Sequence, residues 1–356
     1  EYMEDNELKG VKSSCIHCPV TCGRQVEVEG AGVVKGPEYE TLALLGSNLE
    51  ISDLKKISEW NYLADDLGMD TISLGATLSF AMELREKGML EIDLEFGEAA
   101  GISELIRDVA HRSGIGDVLA DGSKRMSEKY GGSDFAMHVK GMEMSAYDPR
   151  GSYAQGVEYA TTNRGGCHVQ GASMYLESVG PLTINPQNLK LKADIPVVQQ
   201  NLACALNSMV LCIFTSYGMI PAMVHNMNPN GLPLRALSKV MENLGPMFRM
   251  SMSMKGPPIF WWEKWMTQIT GAPMSSGHIQ EYGGRIFNLE RIYNLREGVG
   301  ADQDTLPRRM LDEPTFPGMT SGHPLDQLLP RYYKIRGWDK AGIPTQKILD
   351  KLQVRS

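Results

Sequence analysis

Apolar and polar positions recur with a helical period along most of this chain. Near the amino end, Arg24-Gln25-Val26-Glu27-Val28 instead settles into alternation and predicts a strand, and Gly30, Gly32, Gly36 and Pro37 punctuate the segment after it. From Ser52 onward helices dominate. Ser52 suits an N-cap, Leu54, Ile57 and Leu63 recur at helical spacing, and Gly68 suits a left-handed stop after Asp66. Asp70 then caps a second helix over Thr71 to Lys87, with Arg85 and Lys87 in its last turn and Gly88 after it. Further helices are predicted over Ile102–Ser113, Asp117–Tyr130, Pro196–Leu211, Gly231–Leu244 and Glu281–Gly298. Between Tyr147 and Gly166, Asp148-Pro149-Arg150-Gly151 and Asn163-Arg164-Gly165-Gly166 read as turns around a short ordered stretch, and the proline-rich run from Leu306 to Trp338 reads as a surface wrap. The result is a mainly α chain with a short β element near the N-terminus. A soft boundary near Tyr147 divides it into residues 1–146 and 147–356.

Composition narrows the function classes. The 356 residues are 42% apolar and 22% charged, as expected of a globular chain. Thirty-five basic against 43 acidic residues give a net charge of −8, which argues against nucleic acid as a partner. The longest apolar stretches, such as Met209 to Thr215, are too short to span a bilayer, and no signal peptide is visible. The 22 methionines are read as packing.

The six cysteines are unevenly placed: Cys15, Cys18 and Cys22 crowd together, while Cys167, Cys204 and Cys212 lie far downstream. That is the pattern of a metal site in a reducing compartment, so a cytoplasmic location is expected. The spacing C-x2-C-x3-C lets three thiolates converge on one face of an iron–sulfur cubane, with a fourth ligand from elsewhere. Zinc accepts the same donors but usually takes a second C-x2-C pair, which this sequence lacks. Spacing does not choose among Cys167, Cys204 and Cys212 for the fourth ligand.

Several runs together resemble the tungsten-containing aldehyde ferredoxin oxidoreductase family. They are Cys15–Cys22 with Gly23, Gly36-Pro37-Glu38-Tyr39-Glu40-Thr41-Leu42-Ala43, Asp65-Asp66-Leu67-Gly68-Met69-Asp70-Thr71-Ile72-Ser73, and Ala146-Tyr147-Asp148-Pro149-Arg150-Gly151. Tyr159-Ala160-Thr161-Thr162-Asn163-Arg164-Gly165-Gly166-Cys167-His168 and Leu329-Pro330-Arg331-Tyr332-Tyr333-Lys334-Ile335-Arg336-Gly337-Trp338 extend the match in order from about Cys15 to Trp338. The resemblance implies two interleaved helical domains. Residues 1–146 would carry the cysteine cluster and the first pterin motif, and residues 147–356 would carry His168, Cys212 and the C-terminal wrap. The family's N-terminal β domain is absent from this sequence, having been removed or lost, or residing on a separate chain.

The same resemblance implies a [4Fe–4S] cluster on Cys15, Cys18, Cys22 and Cys212, and a tungsten or molybdenum bis-pterin contacted by Asp65, Met69, Asp70, Asn207 and Leu211. The second pterin motif departs from the family pattern: Asn207 replaces an aspartate and Val210 a glycine. Glu40 and His168 match the family's proposed acid/base pair. A carboxylate can activate water, and a histidine can donate a hydrogen bond to a carbonyl oxygen. The implied reaction oxidises a small aldehyde to a carboxylic acid and passes electrons through the cluster to ferredoxin or a similar carrier. Two alternatives stand beside it: a related tungsten enzyme reducing an aromatic acyl thioester, and a non-catalytic iron–sulfur electron-transfer subunit. On residue type alone, Glu40 also fits a surface carboxylate, His168 a core histidine, and Asp65 and Asp70 a turn and a cap. Glu59 matches a glutamate that holds an intersubunit metal in some members, but Ser103 stands near the position of its histidine partner. No such metal is therefore expected, and the homo-oligomeric state stays open.

Overall fold

The computed structural model describes residues 11–18, 20–214, 224, 226–228, 231–258, 260–315 and 317–355. His225, and Thr215 at the end of the apolar run from Met209, lie outside them. The chain forms two compact units that meet in sequence at Ala146 and Tyr147.

The first unit opens with an antiparallel meander of β1 (Val11–Ser13), β2 (Gly23–Val28) and β3 (Gly32–Lys35), in the register Ser13↔Gly23 and Val28↔Gly32. Val26 and Val28 are buried while Gln25 and Glu27 face solvent, as the alternation requires. Helices α1 (Tyr39–Leu44), α2 (Leu54–Asp66) and α3 (Thr71–Glu86) come next, then α4 (Ile102–His111), α5 (Ile115–Leu119) and α6 (Gly122–Tyr130). Leu45, Leu49, Trp60, Leu78, Met82, Leu84, Ile102 and Ile106 form the centre of one core. The cap of α2 is Asp53 rather than Ser52: its carboxylate accepts from the Lys55 and Lys56 amides. Asp70 caps α3 as expected, accepting from the Ser73 amide at 2.8 Å.

The single helix expected over Asp117–Tyr130 is broken in two. Gly122 takes φ +75°, and Glu143, on β5 (Met142–Glu143) beside β4 (His138–Val139), accepts from the Ser123 amide at 2.8 Å. That carboxylate satisfies a free donor at the start of α6 and fixes the break.

In the second unit α7 (Tyr153–Thr161) occupies the stretch read as short and ordered between turns. Every residue from Ala154 to Thr161 is buried, so the helix has no polar face to give it a period. Helix α8 (Asp194–Ser208) starts before and stops short of the expected span. After it come α9 (Leu232–Leu244), α10 (Pro246–Met252), α11 (Trp261–Thr270), α12 (Ser276–Arg296), α13 (Arg308–Asp312), α14 (Leu325–Arg336) and α15 (Gln346–Leu352).

The C-terminal run is not a surface wrap. Helix α14 tolerates Pro330 in its interior and buries Leu328, Tyr332, Tyr333 and Arg336. Arg336 lies 3.9 Å over the Phe287 ring and donates to Asn201 and Gln200, while Arg291 and Tyr333 both donate to the buried Asp304. Helices α8 and α12 cross so closely that a Cβ on Gly283 would lie 1.7 Å from the Asn201 carbonyl oxygen. Beside the crossing, Asn201 Nδ2 donates to Gln280, and Gln280 Nε2 donates to the Val198 carbonyl. Among the described residues no helix is long and apolar enough to cross a membrane.

Gly283→Ala should therefore destabilise the second unit by about 3 kcal/mol, at the upper end of overpacking costs. A urea melt would register this as a lower midpoint. An unchanged midpoint would mean the two helices can move apart freely.

Candidate functional site

The three early cysteines share the loop that joins β1 to β2. Pairing of Ser13 with Gly23 closes that loop at its base, and the Cys18 amide donates to the Cys15 carbonyl at 3.0 Å to make a tight turn within it. His17 and Thr21 take φ of +59° and +46°, left-handed conformations that bend the backbone around the turn. Cys15 and Cys22 are exposed and Cys18 half-buried. In donor type the loop fits a metal cluster: three soft sulfurs within a few residues of each other, on backbone pinned at both ends. In position the sulfurs are not gathered. Among the described residues no group of three His, Cys, Asp or Glu side chains stands close enough to hold a metal ion.

Glu40 lies in the first turn of α1, the helix after the glycine-rich segment. A hydrogen bond between the Thr41 and Thr71 hydroxyls at 2.8 Å ties α1 to the start of α3. This brings Glu40 within electrostatic range of Asp70. Glu40 Oε2 accepts from the Ala146 amide at 2.8 Å. Burial, opposed by the Ala146 bond and helped by the nearby Asp70 charge, pushes its carboxyl up to about 7. Glu40 is therefore not a solvated surface carboxylate. It is balanced between charged and neutral near pH 7, as a general base should be.

The first pterin motif forms the turn after α2. Gly68 takes φ +73°, and the Met69 amide reaches back to the Ala64 carbonyl at 2.7 Å. Asp65 and Asp70 are exposed on either side, and Met69 is half-buried. Met69 and Asp70 border a cavity of about 280 Å³ with Ser73, Thr77 and Glu143. The second motif, after α8, has the same build. Val210 takes φ +59°, the Leu211 amide donates to the Leu206 carbonyl at 2.9 Å, and Asn207 is exposed. Each is a helix C-cap in which the amide three residues past the last helical residue reaches back five positions, a turn that favours glycine at its left-handed position. The substitutions at Asn207 and Val210 thus leave the backbone turn intact. Both turns offer exposed polar side chains and fit a group rich in N–H donors and acceptors. Cys212, exposed, comes directly after the second turn.

His168 stands on the loop between α7 and a single π-helical turn at Tyr175–Val179. Its ring packs on Tyr147 at 5.5 Å, and its carbonyl accepts from the Ala172 amide at 3.0 Å. The preceding Cys167 is buried, and burial pushes its thiol up. Two carboxylates hold this loop. Glu158 on α7, fully buried, accepts from the Ala172 amide at 2.9 Å, the Ser173 amide at 2.8 Å and the Ser173 hydroxyl at 2.6 Å. Glu290 on α12 accepts from Asn163 and Gln170. Neither glutamate stood out in the sequence. The one available signal was a lone carboxylate inside the otherwise uncharged run Gly156-Val157-Glu158-Tyr159-Ala160.

A family model described as aldehyde ferredoxin oxidoreductase, domains 2 and 3, matches residues 1–354. The chain belongs to the aldehyde ferredoxin oxidoreductase family. It is 36% identical to the tungsten-containing aldehyde ferredoxin oxidoreductase of Pyrococcus horikoshii, over 98% of this chain and 54% of the relative. It is 37% identical to the protein of that name from Pyrococcus furiosus, with the same coverage. A more distant relative, the WOR-like subunit of an aliphatic sulfonate oxidoreductase from Pyrococcus furiosus, is 27% identical over 95% of this chain and 49% of its own length. The chain spans about half the length of the curated relatives it matches. Among solved structures, the active site complex of benzoyl coenzyme A reductase with 1,5-dienoyl-CoA shares the fold, with a TM-score of 0.69 and 20% identity over 97% of this chain and 53% of that one. The mainly helical fold with small sheets is thus of the aldehyde ferredoxin oxidoreductase type.

Arg150, the tryptophans of α11 and Glu59 are held by local contacts. Arg150 pairs with Asp148 at 2.8 Å. Trp262 is fully buried, whereas Trp261 and Trp265 are exposed and pack edge to face on each other. Glu59 Oε1 accepts from the Ser103 hydroxyl at 2.6 Å, and Ser103 in turn accepts from the Trp60 indole at 3.0 Å.

The Glu40 environment carries a direct test. In a ¹³C titration its carboxyl should turn over within about a unit of 7, against an ordinary glutamate value of about 4.3. The folded pKa is raised, so the fold disfavours the charged form. Glu40 should therefore favour the folded state most below its unfolded pKa, and that contribution should decline as pH rises through 7. A midpoint in the ordinary carboxylate range would remove the case for a tuned base.

Proposed function

We propose that this chain is the helical part of a tungsten- or molybdenum-pterin oxidoreductase that converts small aldehydes to carboxylic acids and delivers electrons to ferredoxin or a similar carrier. The observation that carries this reading is Glu40. It is a half-buried carboxyl with its pKa near 7, close to Asp70 of the first pterin motif, in a chain of this family. The net change is RCHO + H2O → RCOOH + 2e⁻ + 2H⁺.

Glu40 takes a proton from water as the water oxygen bonds to the carbonyl carbon. Its raised pKa gives it useful basicity at neutral pH. His168 donates a hydrogen bond to the carbonyl oxygen as negative charge develops there. Asp65, Asp70 and Asn207 would accept hydrogen bonds from the pterin N–H groups, with Met69 and Leu211 beside them, and Cys15, Cys18, Cys22 and Cys212 would hold a [4Fe–4S] cluster. When bound, the metal–pterin group would supply a two-electron acceptor and the cluster a one-electron carrier. The remaining pterin contacts come from the part of the relatives this chain does not match, on the same polypeptide or on a separate one.

In the complete enzyme, metal analysis should find tungsten or molybdenum together with about four iron per chain. Cys18→Ala should lose most of that iron. Glu40→Gln should lower aldehyde turnover by about a hundredfold or more, the usual contribution of a positioned base. Iron without tungsten or molybdenum, and turnover indifferent to Glu40→Gln, would leave a non-catalytic electron-transfer subunit. Turnover of an aromatic acyl thioester in place of every aldehyde tried would point to the reductase alternative.

A further inference from the structure

The loop from Asn163 to Ser173 has to hold His168 in one place, yet it contains Gly165, Gly166 and Gly171, which give it wide backbone freedom. Gly165 sits at φ +112° and Ala172 at φ +60°. Local hydrogen bonds inside the loop are short-range turns, such as the Cys167 amide to the Gly165 carbonyl at 2.7 Å. Glu158 holds its far end through Ala172 and Ser173, and one oxygen of a second carboxylate ties its start to its middle. Glu290 Oε2 accepts from Asn163 Nδ2 at 3.0 Å and from Gln170 Nε2 at 2.9 Å. The same Asn163 amide also donates to the Phe287 carbonyl at 3.1 Å, and Asn294 Nδ2 donates to the Asn163 carbonyl at 2.8 Å. All three anchors belong to α12. Gln170 is 4% exposed, so water competes poorly for its amide.

We propose that Glu290 is a positioning residue, a carboxylate clamp on the rigid helix α12 that closes the loop bearing His168. This rests on the reading that His168 acts on the substrate. One carboxylate oxygen has lone pairs for two donors at once, and charge strengthens both bonds without being required for them. Burial raises the Glu290 carboxyl, and the two amides oppose that rise together with the Arg164 and Arg336 charges, so each bond to the loop favours the charged form. Opening the loop would strand both amide donors and the carboxylate together. The loop therefore closes as a unit.

The test uses the complete enzyme and has two readouts. Hydrogen–deuterium exchange compares amides of residues 163–173 with those of α8. Steady-state kinetics separates kcat from KM. Glu290→Ala should speed exchange in 163–173 about tenfold and leave α8 within about twofold. Its kcat should fall about tenfold with KM nearly unchanged, because misplacing His168 costs transition-state contact rather than binding. Glu290→Gln keeps an oxygen that accepts from both amides and should recover both readouts to within about threefold. Gln170→Leu removes one arm only and should accelerate loop exchange by about threefold, which decides the matter if Glu290→Ala does not fold.

Unchanged loop exchange in Glu290→Ala or Gln170→Leu overturns the proposal. So does equal acceleration in α8, or Glu290→Gln as damaged as Glu290→Ala. If aldehyde turnover is indifferent to His168→Asn, the functional reading fails instead, and the exchange comparison alone then decides the clamp.

Discussion

Carboxylates removed from water need donors, and in this protein those donors come chiefly from loops and helix starts. The Ala146 amide meets Glu40, the Ser123 amide meets Glu143, and the Ala172 and Ser173 amides meet Glu158. Glu177 receives the Ala154 and Gln155 amides at the start of α7, with the fully buried Lys192 paired to it at 2.7 Å. Each bond satisfies two costs at once, because a buried carboxylate and an unpaired backbone N–H are both unfavourable alone. The consequence reaches past stability. Segments too rich in glycine to order themselves are fixed from outside by side chains on helices. His168 sits on such a segment, the loop bound by Glu158, whereas Glu40 is itself a helix carboxylate that the first unit's last amide reaches.

The two motif turns make a related point about what sequence degradation means. Gly68 and Val210 share a left-handed backbone and the same reach of an amide to the carbonyl five residues earlier. Valine is a poor occupant of that region, where its branched side chain crowds the carbonyl, at about 1–2 kcal/mol. That the turn forms regardless shows that the surrounding helix end dictates it. What differs at the second turn is side-chain chemistry, with an amide at Asn207 where the first turn has a carboxylate at Asp65. An amide both donates and accepts, so the second turn presents different hydrogen-bonding chemistry without changing shape.

Much of the first unit was legible in the sequence because its helices are half-exposed. Asp70, the stop at Gly68 and the alternation around Val26 and Val28 each carried a local signal that the structure repeats. The failures have definite causes. Helix α7 is buried on nearly every face, so no period marks it, and α14 hides a proline in its interior. The break before α6 is enforced by Glu143 from another element, and the Asp53 cap displaced an equally plausible neighbour one position away. Glu40 gave no sign of its environment, because burial and a bond from Ala146 arise only when residues far apart in sequence meet. Glu158 and Glu290 were invisible for the same reason. Tertiary contact determines these properties, and local pattern does not carry it.

The Ser103 contact shows how such contacts constrain function. A hydroxyl at 2.6 Å from Glu59 Oε1 takes up one lone pair of that oxygen, and the Trp60 indole fixes that hydroxyl from behind. Lys56 pairs with the other oxygen at 3.0 Å. Glu59 thus has a hydroxyl on one oxygen and an ammonium on the other, and any further partner would share it with both. The same residue that resembles a metal ligand in isolation is, in its folded setting, the acceptor that ties α2 to α4. Residue type proposes a role, and the donors packed around the side chain decide whether the role remains open.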